Sequence, residues 1–161
     1  MTALSLVVLV YILHVSSIGL ETGLGSSAVI FASFAASAFI LFMVPHSNAA
    51  KPGKFVKSYV IGAALGYSGF LLSTIAGMYI SIMVIMFALA LLLVLLDAVH
   101  PPGAGIAFAF LLYRVGLAGI FVVILGVAIM LLVRYFLEKA VYTIEEDFVK
   151  AEKAAVSGKR R

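Results

Sequence analysis

The fold is decided by residues 97–105, Asp-Ala-Val-His-Pro-Pro-Gly-Ala-Gly. This polar break lies between two long apolar runs, and it places an acid and a histidine beside two prolines and two glycines. Polar and ionisable side chains are costly inside a bilayer and usually have a function there. The break is therefore the first candidate for a functional site.

The composition on either side of the break predicts a membrane protein. Of the 161 residues, 65% are hydrophobic and 11% are charged, whereas about a quarter of a soluble domain is charged. Glu21 is the only charged residue in the first 50, and between Lys57 and Arg134 only Asp97 and Arg114 are charged. Because a charge at the bilayer centre costs about 2.5–3.5 kcal/mol, we predict an all-α, polytopic membrane helical bundle in contact with the lipid bilayer.

Several classes of function find no support in the sequence. The chain has no cysteine, which excludes disulfides and thiolate metal sites. No nucleotide-binding or hydrolase motif is present, and the three histidines and scattered acids do not form a run of metal ligands. The formal charge of +4 comes from residues at the ends of apolar runs, which set membrane topology. We therefore expect no enzyme activity, no cofactor, no metal and no nucleic-acid partner.

The hydropathy pattern predicts one transmembrane domain over residues 1–136 with about five to six membrane segments. A span needs about 20 apolar residues. The predicted spans are 3–20, 24–44, 56–76, 78–96 and 116–136, with a short helix over 101–113. The short helix begins at prolines, which suit a first helical turn, and its length of about 20 Å is less than the bilayer core. It is expected either to cross as a short helix or to be re-entrant or broken.

Residues 137–161 differ from the rest of the chain, because apolar side chains recur there at helical spacing between charges. They predict an amphipathic helix with a basic tail, lying on the membrane or on a partner. Lys51, Lys54 and Lys57 predict a cytoplasmic loop, and the basic tail predicts a cytoplasmic location too. The cytoplasmic loop and the cytoplasmic tail are compatible only if 101–113 crosses the membrane. The membrane is expected to be the cell membrane.

A weak internal repeat relates the two polar breaks. An offset of 54 residues superimposes His46 on His100, and further matches follow it, Tyr59 on Tyr113 and Gly62 on Gly116. A true duplication would make the two histidine breaks structural equivalents, and paired breaks of this kind mark binding sites in transporters. Chance similarity between two membrane turns is the alternative.

The main break offers a candidate anion site. His100 would donate a hydrogen bond or a proton, and the backbone N–H groups of Gly103, Ala104 and Gly105 would hold an anion at a helix start. Asp97 would orient the imidazole or share its proton. The alternative is a polar turn in which Asp97 caps the following helix.

Further candidate ligands lie elsewhere in the chain. In the first break they are His46, Ser47, Asn48, Lys51 and Lys54, and Arg114 follows the short helix. The lysines and the arginine would attract or bind an anion. The alternatives are a solvated loop, contact with lipid headgroups and, for Arg114, snorkelling to the interface.

These motifs carry a resemblance to a known family. The stretch 97–104 after an apolar run, together with the loop 44–54 before a helix with glycines at 62 and 66, resembles the HPP family of integral membrane proteins over about residues 24–136. Relatives often have Pro-x-Ala-Gln-Pro-Arg and then Gly-Gly-His in the first loop. This chain lacks that glutamine and that histidine.

The resemblance implies a small multi-span bundle, and some members of the family, including plastid ones, act as nitrite transporters. The leading hypothesis is therefore a membrane transporter or channel for a small, nitrite-like monovalent anion. A non-transporting scaffold or sensor whose last helix binds a partner is one alternative, and a proton or cation pathway through Asp97 and His100 is another. Because the chain is small for a carrier, a homo-oligomer, dimer or trimer, is expected.

Overall fold

The computed structural model describes the backbone of residues 24–158 and the side chains of residues 28–139, and within these ranges it is entirely helical. The prediction of an all-α membrane bundle is confirmed. The predicted span 3–20 and the basic residues 159–161 lie outside the described residues. The helices are α1 Leu24–Met43, α2 Pro52–Ala76, α3 Met78–Leu95, α4 Pro102–Tyr113 and α5 Leu117–Gly158, with a single 3-10 turn at Asn48–Ala50.

Three stretches of these helices are long and apolar enough to cross a membrane, namely Pro52–Ala76, Met78–Leu95 and Leu117–Lys139. The prediction was five to six segments. Among the described residues, Ala28–Met43 and Pro102–Tyr113 are shorter apolar helices, and the predicted span 3–20 lies outside these residues. The start of α2 also differs from the prediction. It begins at Pro52 because a proline suits the first helical turn, so Lys54 and Lys57 lie on the helix and not in a loop.

The short helix α4 lies at the centre of the bundle. It is one continuous helix and not a broken one, and it packs on α2 and α1 and, to a smaller extent, on α3. Glycines allow this close approach: a Cβ atom built at Gly66 of α2 would lie 2.7 Å from the carbonyl oxygen of Ala107. Gly62 meets the backbone of Gly103 in the same way. In a bilayer the hydrophobic effect does not drive helices together, so close packing has to hold them. The glycines allow that packing by letting the two backbones approach.

The two polar breaks lie at the same end of the bundle. Lys54 at the start of α2 pairs with Asp97 in the second break, and Arg134 of α5 donates to the carbonyl of Ala50 in the first. We call this end, formed by residues 44–51 and 96–101, the lysine end. Helix α4 begins at this end, and Arg134 of α5 lies there too, so the chain returns to the lysine end within α5.

The last helix does not stop where the sequence predicted a boundary. Helix α5 runs without interruption from Leu117 to Gly158, so residues 137–158 continue the preceding span. At about 1.5 Å per residue, its 42 residues extend over roughly 60 Å, about twice the bilayer core. The proposed amphipathic faces fall largely on side chains beyond 139, outside the described ones.

The core is aromatic and joins four helices. Phe34, Phe55, Tyr59, Phe110 and Met130 are completely buried in one cluster contributed by α1, α2, α4 and α5. The outer faces are apolar as well, with large exposed side chains that include Phe39, Phe87 and Phe121. An apolar exterior around helices with internally satisfied backbones is what contact with lipid requires.

Candidate functional site

His100 is completely buried at the lysine end, and both of its ring nitrogens have partners. Its Nδ1 lies 2.8 Å from the carbonyl oxygen of Ala49, and its Nε2 lies 2.7 Å from Oγ of Ser37 in α1. The hydroxyl of Ser58 donates to the backbone carbonyl of His100 at 2.8 Å. The histidine therefore ties the second break to the first break, to α1 and to α2.

The partners fix the direction of this hydrogen-bond chain. A carbonyl oxygen can only accept, so Nδ1 carries the proton and donates to Ala49. In the neutral ring Nε2 then accepts from the hydroxyl of Ser37, and Ser37 in turn accepts from the hydroxyl of Tyr59 at 2.7 Å. The chain runs from Tyr59 through Ser37 and His100 to Ala49, and each proton in it has a defined acceptor.

Aromatic rings enclose this polar chain. Phe55 meets His100 edge to face, with ring centroids 5.3 Å apart, and Phe34 lies 4.9 Å from Tyr59. Burial lowers the pKa of His100 below its ordinary value of 6.5, while the hydrogen bond to Ala49 acts in the opposite direction. The neutral imidazole is thus the form that this environment favours.

A second polar contact lies beside the chain. The ammonium of Lys54 pairs with the carboxylate of Asp97, and the lysine side chain is 7% exposed while that of Asp97 is 81% exposed. The hydrogen bond from Lys54 lowers the pKa of Asp97. Asp97 has φ +46°, a left-handed conformation that aspartate tolerates better than most residues. Asp97 is therefore the counter-ion of Lys54, and the imidazole of His100 is oriented by Ser37 and Ala49 instead.

The glycines after His100 serve packing. The N–H of Gly103 donates to the carbonyl of His100, and the N–H of Ala104 donates to that of Pro101, both at 3.0 Å. Gly103 lies against Ser58, and Gly105 lies against Ser33. Two of the backbone donors expected to hold an anion are thus engaged within the turn.

The other predicted ligands are spread over the surface. His46, Asn48 and Lys51 are exposed at the lysine end, and Ser47 is half-buried there, with a buried Oγ that has no hydrogen-bond partner among the described residues. Arg114 is exposed between α4 and α5 in a left-handed conformation (φ +53°). Of the predicted ligands, Lys54 and Asp97 form an ion pair, and His100 belongs to a separate hydrogen-bonded chain at the same end of the bundle.

The internal repeat does not correspond to equivalent structures. His46 is exposed and His100 is buried. Tyr59 is buried within α2, whereas Tyr113 is exposed at the end of α4. The two breaks are neighbours at one end of the bundle and occupy different environments.

Four residues of this region were missed from the sequence. They are Ser37, Ser58, Tyr59 and Arg134, none of which the sequence pattern marked as a candidate site residue. The available signal was the presence of hydroxyl groups within otherwise apolar spans, since buried hydroxyls need partners. That signal could not say which of the many serines in α1 meets the histidine.

Comparison with known proteins relates most of the chain to one protein family. A family model described as HPP, transmembrane region, matches residues 1–144. No curated protein matches the chain. No solved structure matches it either.

Proposed function

Because the chain belongs to the HPP family of integral membrane proteins, we propose that it transports a small monovalent anion, with nitrite as the leading substrate. The anion enters at the lysine end, which faces the cytoplasm by the positive-inside rule. The membrane location follows from the family and from the apolar helices.

The observation that carries the proposal is the buried ammonium of Lys54. Its described ion-pair partner is Asp97, whose side chain is largely exposed. A buried cation with an exposed, exchangeable counter-ion is suited to bind an incoming anion, which replaces the carboxylate without leaving the lysine unpaired. Lys51 and Lys57, exposed on either side, raise the local anion concentration.

The hydroxyl and imidazole groups behind Lys54 supply the next contacts. Tyr59, Ser37 and His100 form a buried polar chain that starts at the lysine end and enters the aromatic core. Each of their donors already has an acceptor when no anion is present, the last acceptor being the carbonyl of Ala49, and this avoids the cost of unpaired buried groups. Rotation of the Ser37 or Tyr59 hydroxyl toward an anion offers it a donor inside the bundle.

The test is nitrite uptake by liposomes that contain the purified protein, with protein-free liposomes as the background. We expect uptake by the wild type and a loss of at least about tenfold in Lys54→Gln, because a neutral amide cannot replace the charge. Lys51→Gln is the matched control, since Lys51 is exposed, and we expect a smaller loss there. Absence of uptake of nitrite, nitrate and formate by the wild type would contradict the proposal.

A second candidate function rests on the length of α5. About half of its 42 residues extend past the lysine end, because Arg134 already lies there. This favours a scaffold or sensor whose projecting helix binds a partner. A pull-down that compares the full chain with a variant lacking residues 140–161, which keeps Glu138 and its contact with Arg134, tests it. Loss of a defined partner without loss of nitrite uptake separates the two functions.

The proposed transporter is a homo-oligomer, because a single chain of this size offers few helices around a pathway. Chemical crosslinking in mild detergent tests this, and exclusive recovery of monomer would count against it. The proton or cation pathway through Asp97 and His100 gains no support from the described structure, in which Asp97 binds Lys54 and His100 binds Ser37 and Ala49.

A further inference from the structure

The 3-10 turn Asn48–Ala50 presents two successive carbonyl groups to two different parts of the bundle. The carbonyl of Ala49 accepts from Nδ1 of His100 at 2.8 Å. The next carbonyl, that of Ala50, accepts from Nη1 of Arg134 in α5. One short turn therefore connects the long helix to the buried histidine, although Arg134 and His100 make no direct contact among the contacts described.

Arg134 is well placed to hold the turn. Its side chain is 13% exposed, and Glu138, one helical turn further on, binds its Nε at 2.6 Å. The guanidinium is planar and rigid, so fixing Nε also fixes the direction in which Nη1 donates. Glu138 thus orients the guanidinium of Arg134, and the guanidinium donates a hydrogen bond to the carbonyl of Ala50.

The turn depends on this external donor. Its own backbone hydrogen bonds use the N–H groups, Ser47 to the carbonyl of Val44 at 2.9 Å and Ala50 to that of Ser47 at 3.0 Å. They leave the carbonyl of Ala50 without a partner inside the turn, and Ala50 is completely buried. A buried carbonyl that loses its donor is costly, so removal of the guanidinium favours rotation of this peptide group, and the neighbouring carbonyl of Ala49 moves with it.

We infer that Arg134 is a positioning residue that, through the Ala49–Ala50 turn, keeps the Nδ1 proton on His100 and so sets the direction of the Tyr59–Ser37–His100 hydrogen-bond chain. With the carbonyl of Ala49 in place, Nδ1 must donate and Nε2 must accept. Without it, the proton can move to Nε2, and Ser37 then has to accept from the ring. The relevance of this direction to an anion rests on the proposed function, but the positioning itself does not.

The consequence is a link between the projecting part of α5 and the polar chain. Arg134 lies where α5 leaves the lysine end, 24 residues before Gly158. A displacement or rotation of α5 at this point acts on the turn first and on His100 second. The same geometry would couple a partner bound to the projecting helix with the donors in the core.

The experiment measures the ring tautomer directly. The full chain, labelled with ¹⁵N at histidine and held in detergent micelles, is studied by NMR, in which protonated and unprotonated ring nitrogens have distinct chemical shifts. The signals of His100 are those that disappear in His100→Gln. We expect the wild type to have Nδ1 protonated, and Arg134→Gln to raise the Nε2-protonated fraction roughly threefold to tenfold, the effect of about one hydrogen bond.

Two further variants separate positioning from general destabilisation. Arg134→Lys keeps one flexible donor, so it should shift the tautomer in the same direction by less than Arg134→Gln. Lys57→Gln, which removes a donor to the carbonyl of Leu96 at the same end of the bundle, should leave the tautomer unchanged. If Arg134→Gln does not fold, the shift in Arg134→Lys decides the question.

An unchanged tautomer in folded Arg134 variants would overturn the inference, whatever happens to transport. Nitrite uptake is measured on the same samples. If the tautomer shifts as expected but the wild type takes up no anion, the positioning role of Arg134 stands and the proposed transport function fails. If the tautomer shifts and uptake falls in parallel, both are supported.

Discussion

His100 lies 2.7 Å from the hydroxyl of Ser37, a residue 63 positions earlier in the chain. This contact joins the loop after α3 to the middle of α1, and it makes the imidazole part of the bundle's core. The same ring reaches Ala49 through its other nitrogen. A single side chain thus connects both polar breaks with the first described helix.

Loss of the Ser37 hydroxyl should destabilise the protein more than loss of the Tyr59 hydroxyl. Ser37→Ala leaves two buried groups unpaired, Nε2 of His100 and the hydroxyl of Tyr59, and we expect a cost of about 1–3 kcal/mol. Tyr59→Phe removes only a donor to Ser37, for which about 0.5–1.5 kcal/mol is expected. Thermal unfolding in detergent measures the order.

Ser33→Ala is the control for that comparison, because the Ser33 hydroxyl donates to the carbonyl of Val29 within its own helix. That carbonyl retains its helical partner, so the change should have little effect. An equal loss of stability in Ser33→Ala and Ser37→Ala would mean that the hydrogen-bond chain does not matter for folding.

Acidification should destabilise the fold through His100. Burial lowers the pKa of this histidine below 6.5, so its contribution to stability is complete above that ordinary value and is lost as the pH falls below it. The melting temperature is expected to drop between about pH 7 and pH 5. The pKa of Asp97 is lowered from 3.8, so protonation of Asp97 does not contribute to the loss of stability in this pH range.

His100→Gln removes the titrating group, so the variant should be less stable at neutral pH and should lose less stability on acidification. His46→Gln serves as the comparison, because His46 is exposed in the first break. A wild-type melting temperature that stays constant over this pH range would contradict the expectation.

A methyl group at Gly66 should disrupt the contact between α2 and α4. The added Cβ would lie 2.7 Å from the carbonyl oxygen and 2.8 Å from the Cα of Ala107, so backbone must move. We expect Gly66→Ala to cost about 1–3 kcal/mol, as overpacking usually does, measured by thermal unfolding. Gly53→Ala is the matched control on the same helix, because no atom beyond the local helix backbone and the chain neighbours lies within 4 Å of the added carbon there. It should be neutral or slightly stabilising.

Removal of the counter-ion should strengthen anion binding at Lys54. Asp97→Asn keeps the shape of the side chain and tolerates the left-handed backbone at φ +46°, but it no longer competes with the substrate for the ammonium. We expect the KM for nitrite uptake to fall several-fold, with a smaller change in the maximum rate. A higher KM in Asp97→Asn would show that the carboxylate assists the anion and does not compete with it.

The sequence by itself determined the class of the protein and most of its helices. Long apolar runs without charges are typical of membrane segments. The prolines at 52 and 102 begin helices because they lack the N–H that a first turn leaves unused. It also singled out Asp97, His100 and Lys54. It ranked His100 above His46, but it could not show that His100 is buried and His46 is exposed, because burial depends on packing.

The tertiary structure alone decided the partners. Contacts such as Ser37 with His100 and Arg134 with Ala50 join residues 63 and 84 positions apart, and no local pattern encodes them. The direction of the hydrogen-bond chain also depends on the third dimension, since it follows from a carbonyl that can only accept. The sequence also left undecided whether α5 returns to the lysine end. Span lengths limit the number of crossings, but they do not place the helices. Packing places α4 inside the bundle and brings Arg134 to the turn at Asn48–Ala50.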